Sequence, residues 1–197
     1  MVDLKKIKRI IKKDMQDLEG SAHSYDHINR VLKIATFLAE EENADLEMVK
    51  IGSLLHDIGR TIGEPHAEKG VEPARQILNQ LNVPQEEINK IHRIVIYHDV
   101  KGHDNLETRE EKIVWDADKI DLIGLTGVSR AFHYAGKVGT PFNDAVEWCA
   151  NRSMRQPYEF FTEIAQKIAV NRYEAMKFFT RQLEKELSLT DVRKSDY

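Results

Sequence analysis

The stretch Ser53-Leu54-Leu55-His56-Asp57-Ile58-Gly59-Arg60 constrains the fold more than any other in the chain. An apolar run delivers an adjacent His-Asp pair, and a glycine and an arginine follow at once. An imidazole and a carboxylate are each costly to desolvate alone, so a fold that buries this run has to supply partners or a metal. Neutral imidazole and carboxylate are both good ligands for Zn, Mn, Fe or Co. A lone His-Asp pair reads most simply as a helix-end ion pair, since structural ion pairs also perturb pKa values. The rest of the chain decides between the two.

That rest is helical in pattern. Leu4, Ile7, Ile10, Ile11, Met15 and Leu18 recur at helical spacing among Lys5, Lys6, Lys8, Arg9, Lys12 and Lys13. The reading is a basic amphipathic helix that docks one stripe on the core and ends at Gly20. His23 and His27 stand four apart in the run that leads into Ile34, Ala35 and Leu38, and would share a helix face. Ser24 rules out the zincin pattern, which needs Glu directly after the first His. Asp45 caps a core helix expected to reach Ile58, and residues 60–65 read as a loop. Further helices are expected from His66 to Leu81 and from Pro84, with Glu86 and Glu87 in its first turn, to His98. After a polar loop from Gly102 to Asn105, the segment Glu110 to Ile123 carries Trp115-Asp116-Ala117-Asp118-Lys119-Ile120-Asp121. Asp121 stands where a calcium loop of the EF-hand type needs Gly. Gly136 to Pro141 reads as a loop, Asn143 or Asp144 as the start of a short helix, and Pro157 as the start of a long one to Leu187. The aromatics of that last helix, Phe160, Phe161, Tyr173 and Phe179, read as core, and the tail after Ser188 as frayed. No β-alternation exceeds a few residues and no glycine-rich phosphate loop occurs. The expected fold class is all-α, in a single domain over residues 1–197.

Composition narrows the partners. A net charge of -4 disfavours bulk attraction to a DNA duplex or an anionic membrane, although a local basic patch can still hold a phosphate. No apolar run approaches the roughly 20 residues that span a bilayer, and the start lacks a signal-peptide core. Cys149 is the single cysteine, so no intrachain disulfide forms and a cytoplasmic location is expected.

His27, His56-Asp57 and Asp118 come from separate stretches, each near or within a helix otherwise built of core residues. Two imidazoles and two carboxylates form a mixed N/O shell that leaves water positions on a six-coordinate metal. Such a metal polarises a phosphoryl oxygen and lowers the pKa of bound water. This order of residues resembles the HD-domain metal-dependent phosphohydrolases: a His in a first helix, an adjacent His-Asp, and an Asp much later. The resemblance extends to a subgroup of small bacterial and archaeal HD hydrolases through His66-Ala67-Glu68-Lys69-Gly70, Ile94 to His98, Gly127 to Phe132 and Ala169 to Tyr173. It covers roughly residues 20–187, with Ser24 departing from the Asp often found after the first His in that subgroup.

The resemblance implies an HD-type helical bundle with a long C-terminal helix and a divalent ion (Mn, Fe, Co, Ni, Mg or Zn) on His27, His56, Asp57 and Asp118. The implied substrate is a small phosphate ester or anhydride, a nucleotide in the first instance, and a homo-oligomer is compatible with it. His66 and His98 are candidates for a second metal or for holding the first set, with a single ion as the expectation. Arg30, Arg60, Lys119 and Arg130, with Lys69, are candidate phosphate contacts, because guanidinium groups bind phosphate bidentately and lysine acts as a point charge. Glu64, Glu68 and Asp121 are candidates to orient water or a ligand imidazole, beside the direct role of Asp57; the favoured reading of Asp121 is a cap, or a pair with Lys119 or Arg130. His92, His103 and His133 read as ordinary histidines. Two further readings stand beside the phosphohydrolase: a non-catalytic metal-bound sensor docking a partner through the basic N-terminal helix, and a hydrolase of a signalling nucleotide such as an alarmone.

Overall fold

Helical periodicity dominates the sequence, and the computed structural model, which describes residues 2–18, 21, 23–99, 105–153 and 160–192, contains helices and no strand among those residues. In chain order they are α1 (Leu4–Asp14), α2 (Tyr25–Glu41), α3 (Leu46–Leu55), α4 (His66–Gln80), α5 (Gln85–Tyr97), α6 (Arg109–Asp121), α7 (Gly124–Val138), α8 (Phe142–Ser153) and α9 (Glu163–Leu187). Short 3-10 turns occupy Gln16–Leu18 and Ile58–Thr61. The all-α expectation holds.

Local chemistry explains the helix starts. Asp3, Asp45 and Thr162 accept hydrogen bonds from the backbone N–H of Lys6, Met48 and Ala165, and each such cap contributes about 1 kcal/mol. Thr108 and Glu111 form a reciprocal capping box at α6. The start of α9 is also tied to α6, because Asp116 accepts from the N–H of Phe161 and Thr162 and from the Thr162 hydroxyl, each at 2.9 Å.

Several boundaries differ from the sequence reading. The helix capped by Asp45 stops at Leu55, and the chain turns through His56 and Asp57 into the 3-10 turn. α7 runs through Gly136 and stops at Gly139, whose φ of 73° is left-handed and suits a residue without a Cβ. α9 begins at Glu163, with residues 160–162 outside the helix. The readings at Gly20, Gly102, His103 and Pro157 lie outside the described residues.

The apolar stripe of α1 is engaged by the protein itself. Ile7, Ile11 and Met15 are fully buried in one hydrophobic cluster with Ile28, Leu54, Leu55, Leu78 and Ile88, while Lys5, Lys8, Arg9, Lys12 and Lys13 remain exposed. A second cluster joins α2, α6 and α9 through Val31, Leu38, Val114, Trp115, Ile120, Tyr173 and Met176. α2 contributes to both and packs against α3 on one side and α6 on the other.

Gly59 governs how the 3-10 turn meets α4. A Cβ there would land on the backbone oxygen of His66 and would stand 2.5 Å from the amide nitrogen of Gly70. Backbone cannot yield as a flexible side chain does, so Gly59→Ala is expected to lower stability by about 1–3 kcal/mol, the usual range for overpacking. At Gly70 a Cβ would meet the Val95 side chain at 3.1 Å and the Gly59 amide nitrogen at 3.2 Å. Gly70→Ala is therefore expected to cost less, and urea unfolding of both variants checks the order.

Candidate metal centre

Several helix ends meet at one place. His27 lies in the first turn of α2, His56 directly after α3, His66 at the start of α4, and His98 directly after α5. The last turn of α6 adds Asp118 and Asp121. Asp57, at the turn after α3, stands in their midst and is 1% exposed. The structure thus brings together all six residues expected as ligands or their neighbours: His27, His56, Asp57, His66, His98 and Asp118.

The two oxygens of Asp57 face different neighbours. Its Oδ2 is 3.0 Å from His23 Nδ1, 3.6 Å from His27 Nε2 and 3.7 Å from His56 Nε2. Its Oδ1 is 2.8 Å from Arg60 Nε, 3.3 Å from His98 Nε2 and 3.4 Å from His66 Nε2. Asp118 Oδ1 approaches His27 Nε2 at 3.2 Å. Three donor groups result among the described residues, His23–His27–Asp57, His27–His56–Asp118 and Asp57–His66–His98, each with ligand atoms within 4.8 Å of one another.

The histidine tautomers follow from the partners of each Nδ1. His56 Nδ1 donates to the Ser53 carbonyl at 2.8 Å and His98 Nδ1 to the Val95 carbonyl at 2.7 Å. His27 Nδ1 donates to Asp121 at 2.8 Å and His66 Nδ1 to Glu64 at 2.9 Å. A neutral ring that donates from Nδ1 presents a lone pair at Nε2. Yet His27 and His56 face each other Nε2 to Nε2 at 3.4 Å, and His66 and His98 do so at 3.2 Å. Opposed lone pairs at that separation call for a cation between them, a proton or a metal. Carbonyl or carboxylate partners on the far ring nitrogen are also what holds a metal-ligating histidine in orientation. The donor set fits a divalent metal.

Electrostatics agree. Burial opposes ionisation of Asp57, but the imidazoles of His56, His23 and His98 outweigh it and hold the carboxyl well below its usual range. Burial likewise opposes ionisation of Asp118, and Lys119 and His27 overcome it. His56 is pushed down to about 4 by burial, so it is neutral at pH 7. Burial would lower His27 too, but hydrogen bonds to Asp118 and Asp121 raise it, the protonic counterpart of a cation at this position.

The expected phosphate contacts are engaged with carboxylates. Arg30 grips Asp121 through Nε at 2.7 Å and Nη2 at 3.1 Å, and Arg130 Nη1 meets the same carboxylate at 2.6 Å. Asp121 therefore pairs with Arg130, one of the partners expected for it, while it orients His27. Arg60 bridges Asp57 and Glu64. Lys119 Nζ lies 2.8 Å from Asp118, 3.2 Å from Asp99 and 3.2 Å from the His98 carbonyl. Glu64 is exposed and reaches the site only through His66 and Arg60. Glu68 and Lys69 lie exposed on α4, and His133 is exposed on α7.

Two site residues escaped the sequence reading. His23 sits in the turn before α2, not on the helix with His27, and hydrogen-bonds Asp57. Its spacing from His27 was the available signal, and the rings do meet edge to face with centroids 5.5 Å apart. Asp99 stands 3.8 Å from His66 Nε2 and pairs with Lys119; its place directly after the candidate His98, as a second adjacent His-Asp pair, was the available signal.

Comparison with known proteins gives this arrangement its context. The HD-domain family model matches residues 24–123. The uncharacterised protein YpgQ of Bacillus subtilis is 29% identical over 185 residues, covering 90% of each chain. The crystal structure of YpgQ in complex with ADP superposes with a TM-score of 0.78 over 93% of this chain and 97% of that one, at 28% identity. A predicted HD superfamily hydrolase from an uncultured Thermotogales bacterium gives 0.73 over 93% and 92% of the two chains at 27% identity. An HD-superfamily hydrolase of Bacillus thuringiensis gives 0.76 over 94% and 96% at 26% identity. The convergent His and Asp side chains and the match across half the sequence lead to one conclusion: the chain belongs to the HD-domain family, as a metal-dependent hydrolase.

Proposed function

We propose that this chain is a phosphohydrolase of nucleotides, with His27, His56, Asp57 and Asp118 holding one divalent ion and Asp57, His66 and His98 a second. The observation that carries the reading is Asp57, which turns one oxygen to each group of imidazoles. A shared carboxylate is what a two-metal site requires, and this revises the single-ion expectation. Imidazole-rich donors suit Mn, Fe, Co, Ni or Zn better than Mg. The nucleotide is supported by the ADP complex of the similar YpgQ.

When bound, such ions act as Lewis acids towards a phosphoryl oxygen and bring the pKa of water towards neutrality. The protein contributes orientation and charge. Asp121, clamped by Arg30 and Arg130, keeps the His27 hydrogen on Nδ1 and leaves Nε2 as the ligand atom. Arg60 and His23 steady the Asp57 carboxylate. Lys119 sets an ammonium beside Asp118 at the edge of the site, where a substrate phosphate can draw it from Asp99.

Metal analysis tests the ligand set. Wild-type protein is expected to carry two equivalents, His98→Ala one, and Asp57→Ala none, with helical circular dichroism retained in both variants. One equivalent in the wild type would remove the second site, and full occupancy in Asp57→Ala would remove the whole assignment.

A phosphate-release screen of nucleotides with Mn, Co, Ni, Fe, Zn and Mg tests the activity. Turnover is expected with at least one transition ion and should disappear with chelator; none with any ion would leave the sensor reading. In the same assay Lys119→Ala should lower kcat/KM about tenfold to a hundredfold, the worth of one charge-assisted hydrogen bond. Unchanged kcat/KM would remove Lys119 from the substrate's path.

A further inference from the structure

Beside the metal centre, α7 and α8 enclose a cavity of about 470 Å³, within the usual range for small-molecule sites. Its lining is of two kinds. His23, hydrogen-bonded to Asp57, and Arg130, paired with Asp121, tie it to the metal centre. The other walls include Ala131, Ala135 and Ala145 with the rings of Tyr134 and Trp148, and Asp144 also lines the cavity. Ala131, Tyr134 and Ala135 recur at helical spacing on one face of α7, and Ala145 and Trp148 do so on α8. Small side chains on the α7 wall leave room for a flat ring, and an aromatic wall gives such a ring a stacking surface. Tyr134 is 46% exposed and Trp148 42%, so both rings keep area that a ligand can cover.

We infer that this cavity is the subsite for the heterocycle of the substrate, which takes a purine or pyrimidine bearing an exocyclic amino group against Trp148 and Tyr134 while its phosphates point past His23 and Arg130 to the metal centre. The inference rests on the nucleotide phosphohydrolase reading and adds to it the part of the protein that recognises the base. Its physical content is one cavity that joins charged groups held at the metal centre to small apolar and aromatic walls, a pairing that matches a nucleotide's phosphate and base. Asp144 supplies direction. An ionised carboxylate only accepts hydrogen bonds, so it favours the amino group of adenine, cytosine or guanine. Uracil offers one N–H between two carbonyl oxygens, and those oxygens repel a carboxylate.

Calorimetric titration of the full-length protein separates the base from the phosphate. Adenosine monophosphate is expected to bind about tenfold to a hundredfold more tightly than ribose 5-phosphate, the worth of one stacked base. That ratio should shrink towards one in Trp148→Ala, and Tyr134→Ala, an independent truncation of an exposed ring, should reduce it as well. Phe178→Ala, an exposed residue of α9 outside the cavity, should leave it unchanged. Cytidine monophosphate should outbind uridine monophosphate in the wild type and lose that advantage in Asp144→Asn. Equal binding of adenosine monophosphate and ribose 5-phosphate, or a ratio untouched by both ring truncations, would overturn the subsite. A cytidine preference that survives Asp144→Asn would overturn the role of Asp144. Because these are binding measurements, a protein that discriminates bases yet hydrolyses no nucleotide would sustain the subsite and sink the phosphohydrolase reading.

Discussion

A single buried negative charge organises this molecule. Asp57 is shielded from solvent yet ionised, and an isolated carboxylate in such a place would cost several kcal/mol. What compensates it is a ring of nitrogen from His23, Arg60, His66, His98 and the pair His27 and His56. These groups come from the start of α2, the end of α3, the 3-10 turn, the start of α4 and the end of α5. The helices must therefore terminate where they do, because each end has to deliver its side chain within reach of one carboxylate. Removing that carboxylate takes away the one anion that all these imidazoles approach, and leaves Asp118 beside His27 and Asp99 beside His66.

The backbone reinforces the same end of the bundle. α3, α5 and α6 present their C-termini to the site, and helix C-termini carry partial negative charge that favours cations. α4 instead begins there and is brought close by the contact of Gly59 with the His66 carbonyl and Gly70. The dipeptide and the glycine two residues later thus act together. His56 and Asp57 supply candidate donor atoms, and Gly59 permits the approach that sets His66 against the second oxygen of Asp57.

What could be read from the chain itself follows physical lines. His56 and Asp57 stood out because neither is at ease in an apolar run, and His27 and Asp118 because they fall in stretches otherwise devoted to the core. Periodicity was enough for the all-α class and for the helices after Asp45, Pro65 and Pro84, where caps or prolines mark the starts. Arg30 and Arg130 were legible as cations near the site, but their engagement with Asp121 was not. They stand 91 and 9 residues from it in sequence, and only the fold brings all three together. His23 was noticed for its spacing and misplaced on a helix, because Ser24 is the N-cap and α2 starts only at Tyr25. Asp99 lies at the end of α5 with no periodic context, so its meeting with Lys119 from α6 depends on how α5 and α6 pack.

The segment matched by the family model ends at residue 123, and α7 begins at Gly124. Every ligand candidate lies before that boundary, and the cavity walls contributed by α7 and α8 lie after it. Metal ligation and, under the proposed subsite, base recognition thus fall largely in consecutive portions of the chain, joined through His23 and Arg130. Under the proposed subsite, changing Tyr134 and the α8 wall while keeping Arg130 on Asp121 would redirect selectivity among nucleotides and leave the donor atoms in place. A scaffold divided in this way can diversify its substrates by drift in one helical hairpin, without passing through forms that have lost their metal.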